Sequence, residues 1–292
     1  MQLGLVGLGK MGGNMRERIR RAGHEVVGYD RNKAVSDASS LADMVRQLDA
    51  PRVVWVMVPH GAPTRDTVAE LAELLDKGDL VIDGGNSKFT EDFENEKLLK
   101  AKGIGYLDCG VSGGIWGLDN GYGLMVGGDV AAVRAIEPVL RALAPAEDRG
   151  WVHCGPAGAG HFTKMVHNGI EYGLMQAYAE GLALMRAKSE FALDLPRITE
   201  AWRHGTVIRS WLLDLTAEFL AHDATLESTV PFVADSVEGR WTAIESIELG
   251  VPTPVMTLSL MERFASQGKV DFTNRLLARM RQAFGGHAVQ TK

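Results

Sequence analysis

The sequence predicts a doubly wound α/β domain followed by an all-α domain. Three observations predict it. Short apolar, β-branched runs alternate with segments of helical period through the first half, a pattern that builds a mostly parallel sheet covered on both faces. A glycine-rich stretch, Gly155-Pro156-Ala157-Gly158-Ala159-Gly160, then punctuates the chain. Beyond it, apolar residues recur at helical period almost to the end. The predicted domains are residues 1–157 and 158–292.

Each element has its own reason. Gln2 to Val6 is a short apolar strand, and Met11 to Arg21 has helical period. Glu25 to Tyr29 is a second strand and Arg52 to Val58 a third. The unbroken Val-Val-Trp-Val-Met-Val of the third strand is what burial on both sheet faces demands. Helices at 63–75, 88–102 and 131–143 alternate with strands at 79–82, 105–108, 124–126 and 151–154. The second domain reads as helices at 161–188, 195–204, 208–220, 231–249, 253–267 and 271–284.

With 292 residues, the chain is long enough for two domains. Its 46% apolar and 23% charged residues exclude disorder. A net charge of −6 argues against non-specific nucleic-acid binding, which needs a basic face. No apolar run approaches the ~18 residues of a membrane span. Met-Gln leads directly into an apolar strand, without a basic n-region or cleavage site, so a cytoplasmic location is expected. Cys109 and Cys154 make neither a disulfide framework nor a zinc site, and two reduced thiols are expected. No metal site is expected.

Gly7-Leu8-Gly9-Lys10-Met11-Gly12 ends the first strand and opens the first helix, the context of a Rossmann-type dinucleotide loop. Gly7 permits the tight turn, Gly9 lets backbone approach a pyrophosphate, and Gly12 permits close helix–strand packing. The helix N-terminus then offers N–H groups to phosphate. Asp30 lies 18 residues beyond Gly12, where an acid accepts ribose hydroxyls and repels a 2′-phosphate. That favours NAD. Arg31 is placed to stack on adenine or reach a phosphate, so NADP is the second candidate. A turn acid capping the next helix is the plainer role for Asp30. Val58, closing the third strand, and Asn86, in the Asp83-Gly-Gly-Asn-Ser87 turn, complete the candidate cofactor contacts.

Lys164, His167, Asn168, Glu171 and Tyr172 stand at i, i+3, i+4, i+7 and i+8, on one face of a helix. A solvated stripe is the plainer reading, but such stripes are usually Glu/Lys repeats. The functional reading is a base, Lys164, and an acid, Glu171, about two turns apart beside a substrate. Ser112, Gly113 and Gly114 offer a hydroxyl and backbone N–H groups suited to a carboxylate, or form a structural loop.

These segments resemble the 6-phosphogluconate dehydrogenase (decarboxylating) family. The likeness is carried by the 7–12 loop, Ile-Asp-Gly-Gly-Asn-Ser at 82–87, Gly-Val-Ser-Gly-Gly at 110–114, and the specific 158–173 segment, Gly-Ala-Gly-His-Phe-Thr-Lys-Met-Val-His-Asn-Gly-Ile-Glu-Tyr-Gly. Gly239-Arg240-Trp241-Thr242-Ala243-Ile244 and Arg281-Gln-Ala-Phe-Gly-Gly-His287 extend it to the chain's end. The length resembles the short form with a single copy of the helical unit.

The resemblance implies oxidation and decarboxylation of 6-phosphogluconate to ribulose 5-phosphate and carbon dioxide, a pentose phosphate pathway reaction with NAD or NADP. It implies Lys164 as base, Glu171 as acid, and no metal. Ser112, Gly113 and Gly114 would hold the carboxylate, and Asn86, His167 and Asn168 the hydroxyls. Tyr172, Arg240, Thr242 and Arg275 would face the phosphate. Arg281 and His287 would reach the neighbouring subunit's site, which implies a homodimer or a dimer of dimers. The family commonly has Lys at the Arg240 position, and residues 115–120 replace a more acidic stretch. A 3-hydroxyacid dehydrogenase of the same superfamily is the alternative; it would lack the His-Asn-Gly-Ile-Glu-Tyr series and the C-terminal arginines.

Overall fold

The computed structural model describes residues 1–285 and 288–290. The chain divides into two compact units, Met1–Val166 and His167–Lys292.

The first unit is built on seven strands: β1 (Gln2–Val6), β2 (Glu25–Tyr29), β3 (Val53–Val56), β4 (Leu80–Asp83), β5 (Gly105–Ser112), β6 (Gly123–Gly128) and β7 (Trp151–Gly155). They lie in the order β2-β1-β3-β4-β5-β6-β7, parallel except for the antiparallel β5–β6 pair. Six helices connect them: α1 (Lys10–Arg21), α2 (Leu41–Arg46), α3 (Ala62–Leu74), α4 (Phe89–Lys100), α5 (Gly117–Asn120) and α6 (Val130–Leu143). The strands bury both faces. Leu3, Leu5, Trp55, Ile82, Leu107 and Cys109 join one core with Met15, Ile19 and Val139; Val6, Val54, Val56, Val81 and Tyr106 join the other with Met44, Leu71 and Leu99. Period-two alternation between two buried faces explains why these strands read as continuous apolar runs. Each fully buried Leu or Ile contributes about 1.5–3 kcal/mol.

The chain leaves β1 toward β2 and later returns to β3 on the other side of β1, so the strand order reverses between β1 and β3. In such sheets ligands bind at that reversal, beyond the carboxyl ends of the strands. Both cysteines are free, Cys109 within the core.

The second unit is helical: it takes most of α7 (Ala159–Ala187), with α8 (Leu195–Trp202), α9 (Trp211–His222), α10 (Glu238–Glu248), α11 (Pro254–Ser266) and α12 (Asp271–Gly285). Ser210 caps α9 by accepting the Leu213 N–H at 3.1 Å, which starts that helix later than its apolar pattern suggests. The helix expected from residue 231 begins only at Glu238. Asp235 accepts the Val237 N–H at 3.0 Å, and Val237 sits at φ +70°, so the backbone turns before the helix opens. No helix among the described residues is long and apolar enough to cross a membrane.

Candidate active site

The β1–α1 turn is set by glycines. Gly7 has φ +90°, and a Cβ there would come within 2.5 Å of the Met57 carbonyl oxygen and 3.1 Å of Val58 Cγ1. A Cβ on Gly12 would lie 1.9 Å from the Gly7 carbonyl oxygen, so α1 crosses the turn at a distance only glycine permits. A Cβ on Gly9 would meet nothing within 4 Å, and no side chain caps α1 at Gly9. The open side of Gly9 and the uncapped helix start together fit a pyrophosphate. Leu8 is buried in the core beside this turn, Met11 packs against it, and Lys10 is exposed at the first helical position.

Asp30, just past β2, braces this turn. Its Oδ2 accepts the Leu8 N–H at 2.6 Å and its Oδ1 the Asn32 N–H at 2.7 Å. Arg31 is exposed beside it. At the end of β4, buried Asp83 accepts the Gly85 N–H at 2.9 Å and the Ser87 hydroxyl at 2.7 Å, and these bonds shape the turn carrying Asn86.

The strand expected to end at Asp108 runs on to Ser112. The antiparallel partner β6 extends β5, with Leu107 opposite Gly128 and Ser112 opposite Gly123. Ser112 therefore sits at a strand end, followed by Gly113 at φ +132° and Gly114 at φ +54°. Gly110, inside β5, faces the start of α7: a Cβ there would lie 2.3 Å from Lys164 Cβ and 2.9 Å from Lys164 Cγ. Glycine at 110 is what lets the lysine stem lie against the sheet.

Asp108, Asp92 and His161 form a buried cluster behind this lysine. Asp108 accepts the Gly158 and His161 N–H groups, each at 2.7 Å, at the opening turn of α7. His161 Nδ1 lies 2.9 and 3.0 Å from the two Asp92 oxygens, and the Tyr106 hydroxyl donates to Asp92 at 2.8 Å. Burial pushes the Asp92 carboxyl up to about 6, against the opposing charge of His161. Burial works against the His161 proton, but the charges of Asp92, Asp83 and Asp108 and the Asp92 hydrogen bond raise its pKa to about 10. At neutral pH the two groups form an ion pair. Ligand atoms of Asp83, Asp92 and His161 lie within 4.8 Å of one another, each residue already committed to the hydrogen bonds above.

In the second unit α7 packs closely on α10. A Cβ on Gly169 would lie 2.7 Å from Thr242 Cγ2, and one on Gly239 would lie 2.5 Å from the Tyr172 ring. Asn168 donates to buried Glu238 at 2.7 Å, and His167 Nδ1 lies 3.1 Å from the Asn168 side-chain oxygen. The Tyr172 hydroxyl is 2.9 Å from the Ser236 hydroxyl, and Arg263 stacks on the Tyr172 ring 3.4 Å from its centre. Arg240 pairs with buried Asp235 and lies over the Phe264 ring. Glu171, half-buried on α7, makes no hydrogen bond or ion pair with any described residue.

Tyr172, Arg240, Asp235 and Arg263 are thus gathered at one place, and His167, Asn168 and Glu238 at another. Arg275 and Arg281 are exposed on α12, and Arg275 pairs with Asp271 at 3.6 Å. Neither bonds to Arg240 or Tyr172 among the described residues. His287 lies outside the described residues. Sequence reasoning misses Asp92, Asp235, Glu238 and Arg263. For Asp92 a signal exists: Asp92, Asn95 and Leu99 share the buried face of α4, so the acid lies on the helix's core side.

Known proteins match the chain along nearly its whole length. Residues 2–155 match the sequence model described as the NAD binding domain of 6-phosphogluconate dehydrogenase, and residues 160–291 match its C-terminal domain. An NAD(+)-dependent, decarboxylating 6-phosphogluconate dehydrogenase of Haloferax volcanii is 43% identical, covering 100% of this chain and 99% of that protein. The 6-phosphogluconate dehydrogenase of Plasmodium falciparum superposes with a TM-score of 0.85 at 27% identity, over 100% of this chain and 66% of its own. A 3-hydroxyisobutyrate dehydrogenase of Mycobacterium tuberculosis shares the fold, with a TM-score of 0.72 at 22% identity over 92% of this chain and 94% of its own.

Proposed function

Because the chain belongs to the 6-phosphogluconate dehydrogenase family, we propose that it converts 6-phosphogluconate to ribulose 5-phosphate and carbon dioxide, with NAD as its preferred oxidant. The observation that carries this reading is α7, which bears Lys164, seated on Gly110, and Glu171, uncommitted to any described partner. Bound NAD supplies the acceptor for the hydride that leaves the C3 carbon. Neutral Lys164 takes the C3 hydroxyl proton. As lysinium it then donates a hydrogen bond to the C3 ketone, which draws electrons from the breaking C1–C2 bond as carbon dioxide leaves. Glu171 delivers a proton to the enediol carbon that becomes C1 of the product. Ser112, Gly113 and Gly114 hold the departing carboxylate, and Asn86, His167 and Asn168 hold the hydroxyls. Tyr172, Arg240, Thr242 and Arg275 face the phosphate.

The test is product analysis. The full chain is incubated with 6-phosphogluconate and NAD or NADP, and ribulose 5-phosphate, carbon dioxide and reduced cofactor are measured. Equimolar amounts of the three are expected. Oxidation of 3-hydroxyisobutyrate without carbon dioxide, and none of 6-phosphogluconate, would overturn the reading in favour of the 3-hydroxyacid dehydrogenases.

The Asp30 brace bears on cofactor choice. Asp30→Ser removes a charge that repels a 2′-phosphate and leaves Arg31 available to pair with one. The expected result is a shift in relative kcat/KM toward NADP of about 10- to 100-fold, as for relief of a like-charge repulsion of a few kcal/mol. An unchanged ratio would reduce Asp30 to its brace on the Leu8 N–H.

The helical unit bears on assembly. Leu184, Val207, Ile247 and Phe272 are each at least 74% exposed, and Val255, Leu258, Leu276 and Leu277 are exposed as well. Apolar exposure on this scale marks an interaction surface. A second copy of the chain covers it in this reading, as a homodimer or a dimer of dimers, in the cytoplasm.

A further inference from the structure

Asp92, Tyr106 and His161 take no part in the chemistry assigned above, yet they are only 0%, 4% and 2% exposed. A carboxylate and an imidazolium withdrawn from water carry a large desolvation penalty, and a buried pair is poor evidence of a stabilising role. Its placement supplies another role.

The pair joins α4 to the opening turn of α7. His161 is gripped twice there: its backbone N–H by Asp108 of β5 at 2.7 Å, and its ring by Asp92 of α4 at 2.9 Å. Packing reinforces the grip. Phe162 meets Phe89 of α4 edge to face at 5.3 Å, and Phe89 meets Phe93 at 6.1 Å. Gly158, at φ +88°, lets the chain pass so close to α4 that a Cβ would lie 2.8 Å from Phe93. One turn after His161 comes Lys164, its stem directly over Gly110 of β5. Rotation or sliding of that turn would move the lysine stem off the one gap in β5 that accommodates it.

We propose that the Asp92–His161 pair, seated on Tyr106 and Asp108, is a positioning latch that holds the first turn of α7 in the one rotation and height that present Lys164 to the substrate. The proposal rests on Lys164 being the proton acceptor. It makes Asp92 and His161 positioning residues for the reaction; neither touches the reacting atoms.

The test uses Asp92→Asn and His161→Gln in the full chain, with kcat, KM for 6-phosphogluconate, NAD affinity and the primary deuterium isotope effect at C3 as readouts. A misplacement of the base on the order of 1 Å lowers kcat about 10²-fold. NAD affinity and KM stay unchanged, and the isotope effect on kcat rises because hydride transfer becomes the slow step. The double variant loses no more than the worse single variant, since both remove one latch. Should Asp92→Asn not fold, Tyr106→Phe removes one donor to Asp92 and keeps the ion pair; a smaller fall in kcat with the same rise in isotope effect is expected. Unchanged kcat and isotope effect in His161→Gln and Tyr106→Phe would overturn the latch, as would a loss that merely follows NAD affinity. Lys164→Met separates the two levels. If it turns over normally, the assignment of the base fails. If it is inactive while the latch variants behave as the native chain, only the latch fails.

Discussion

Lys164→Met is expected to lower turnover of 6-phosphogluconate by about 10²- to 10⁴-fold, the range of a lost general base. Methionine keeps the Cβ and Cγ that lie against Gly110, so the packing of α7 on β5 survives and the lost group is the amine. NAD affinity, measured by fluorescence titration, should not change, because Gly7, Gly9, Gly12 and Asp30 are untouched. Near-native turnover would remove Lys164 from the mechanism. Glu171 is the complementary case. Its replacement by Gln leaves proton removal at C3 intact and slows protonation of the enediol, so carbon dioxide should still form while product release lags.

The parts of this protein that are legible in its sequence are those whose physics is local. Gly7 and Gly12 announce themselves because turn, strand end and helix start fall within a few residues, and the 1.9 Å clearance at Gly12 is the geometry that such spacing demands. The alternation that predicts the doubly wound sheet is local in the same sense, repeated along each strand. What the sequence hides depends on partners far along the chain. Asp92 looks like one more surface acid in a helix with Glu91, Glu94 and Glu96, until His161 arrives 69 residues later to pair with it. Glu238 meets Asn168 across 70 residues. β5 runs on to Ser112 with β6 paired antiparallel beside it, whereas the sequence reading stops at Asp108, short of the glycine at 110. The start of α10 is hidden because Asp235 and Val237 turn the backbone where apolar periodicity alone continues the helix. The arginines divide likewise. Arg240 is named by its motif, whereas Arg263, stacked on Tyr172, carries no local mark.

The second large effect concerns Arg281. It is exposed on α12, with no hydrogen bond or ion pair to any described residue of its own chain. A dianionic phosphate is best met by a planar, bidentate guanidinium, and Arg240 already answers to Asp235 within its own unit. In the proposed assembly, Arg281 completes the site of a neighbouring copy. Arg281→Ala is then expected to lower kcat/KM by about 10- to 100-fold, the worth of a charged hydrogen bond, mainly through KM. The decisive arrangement mixes two crippled chains. Lys164→Met and Arg281→Ala, co-expressed with different tags and purified through both, give dimers in which one site joins a native Lys164 to a native Arg281 from the other chain. Such dimers should recover about half the kcat/KM of the native dimer, because a two-fold assembly has one repaired site in two. A kcat/KM no higher than that of an Arg281→Ala dimer would place Arg281 in its own chain's site or outside any site. Recovery would also show that the apolar faces of the helical unit, left open in the single chain, close on a second copy in an orientation that carries α12 to the neighbour's substrate.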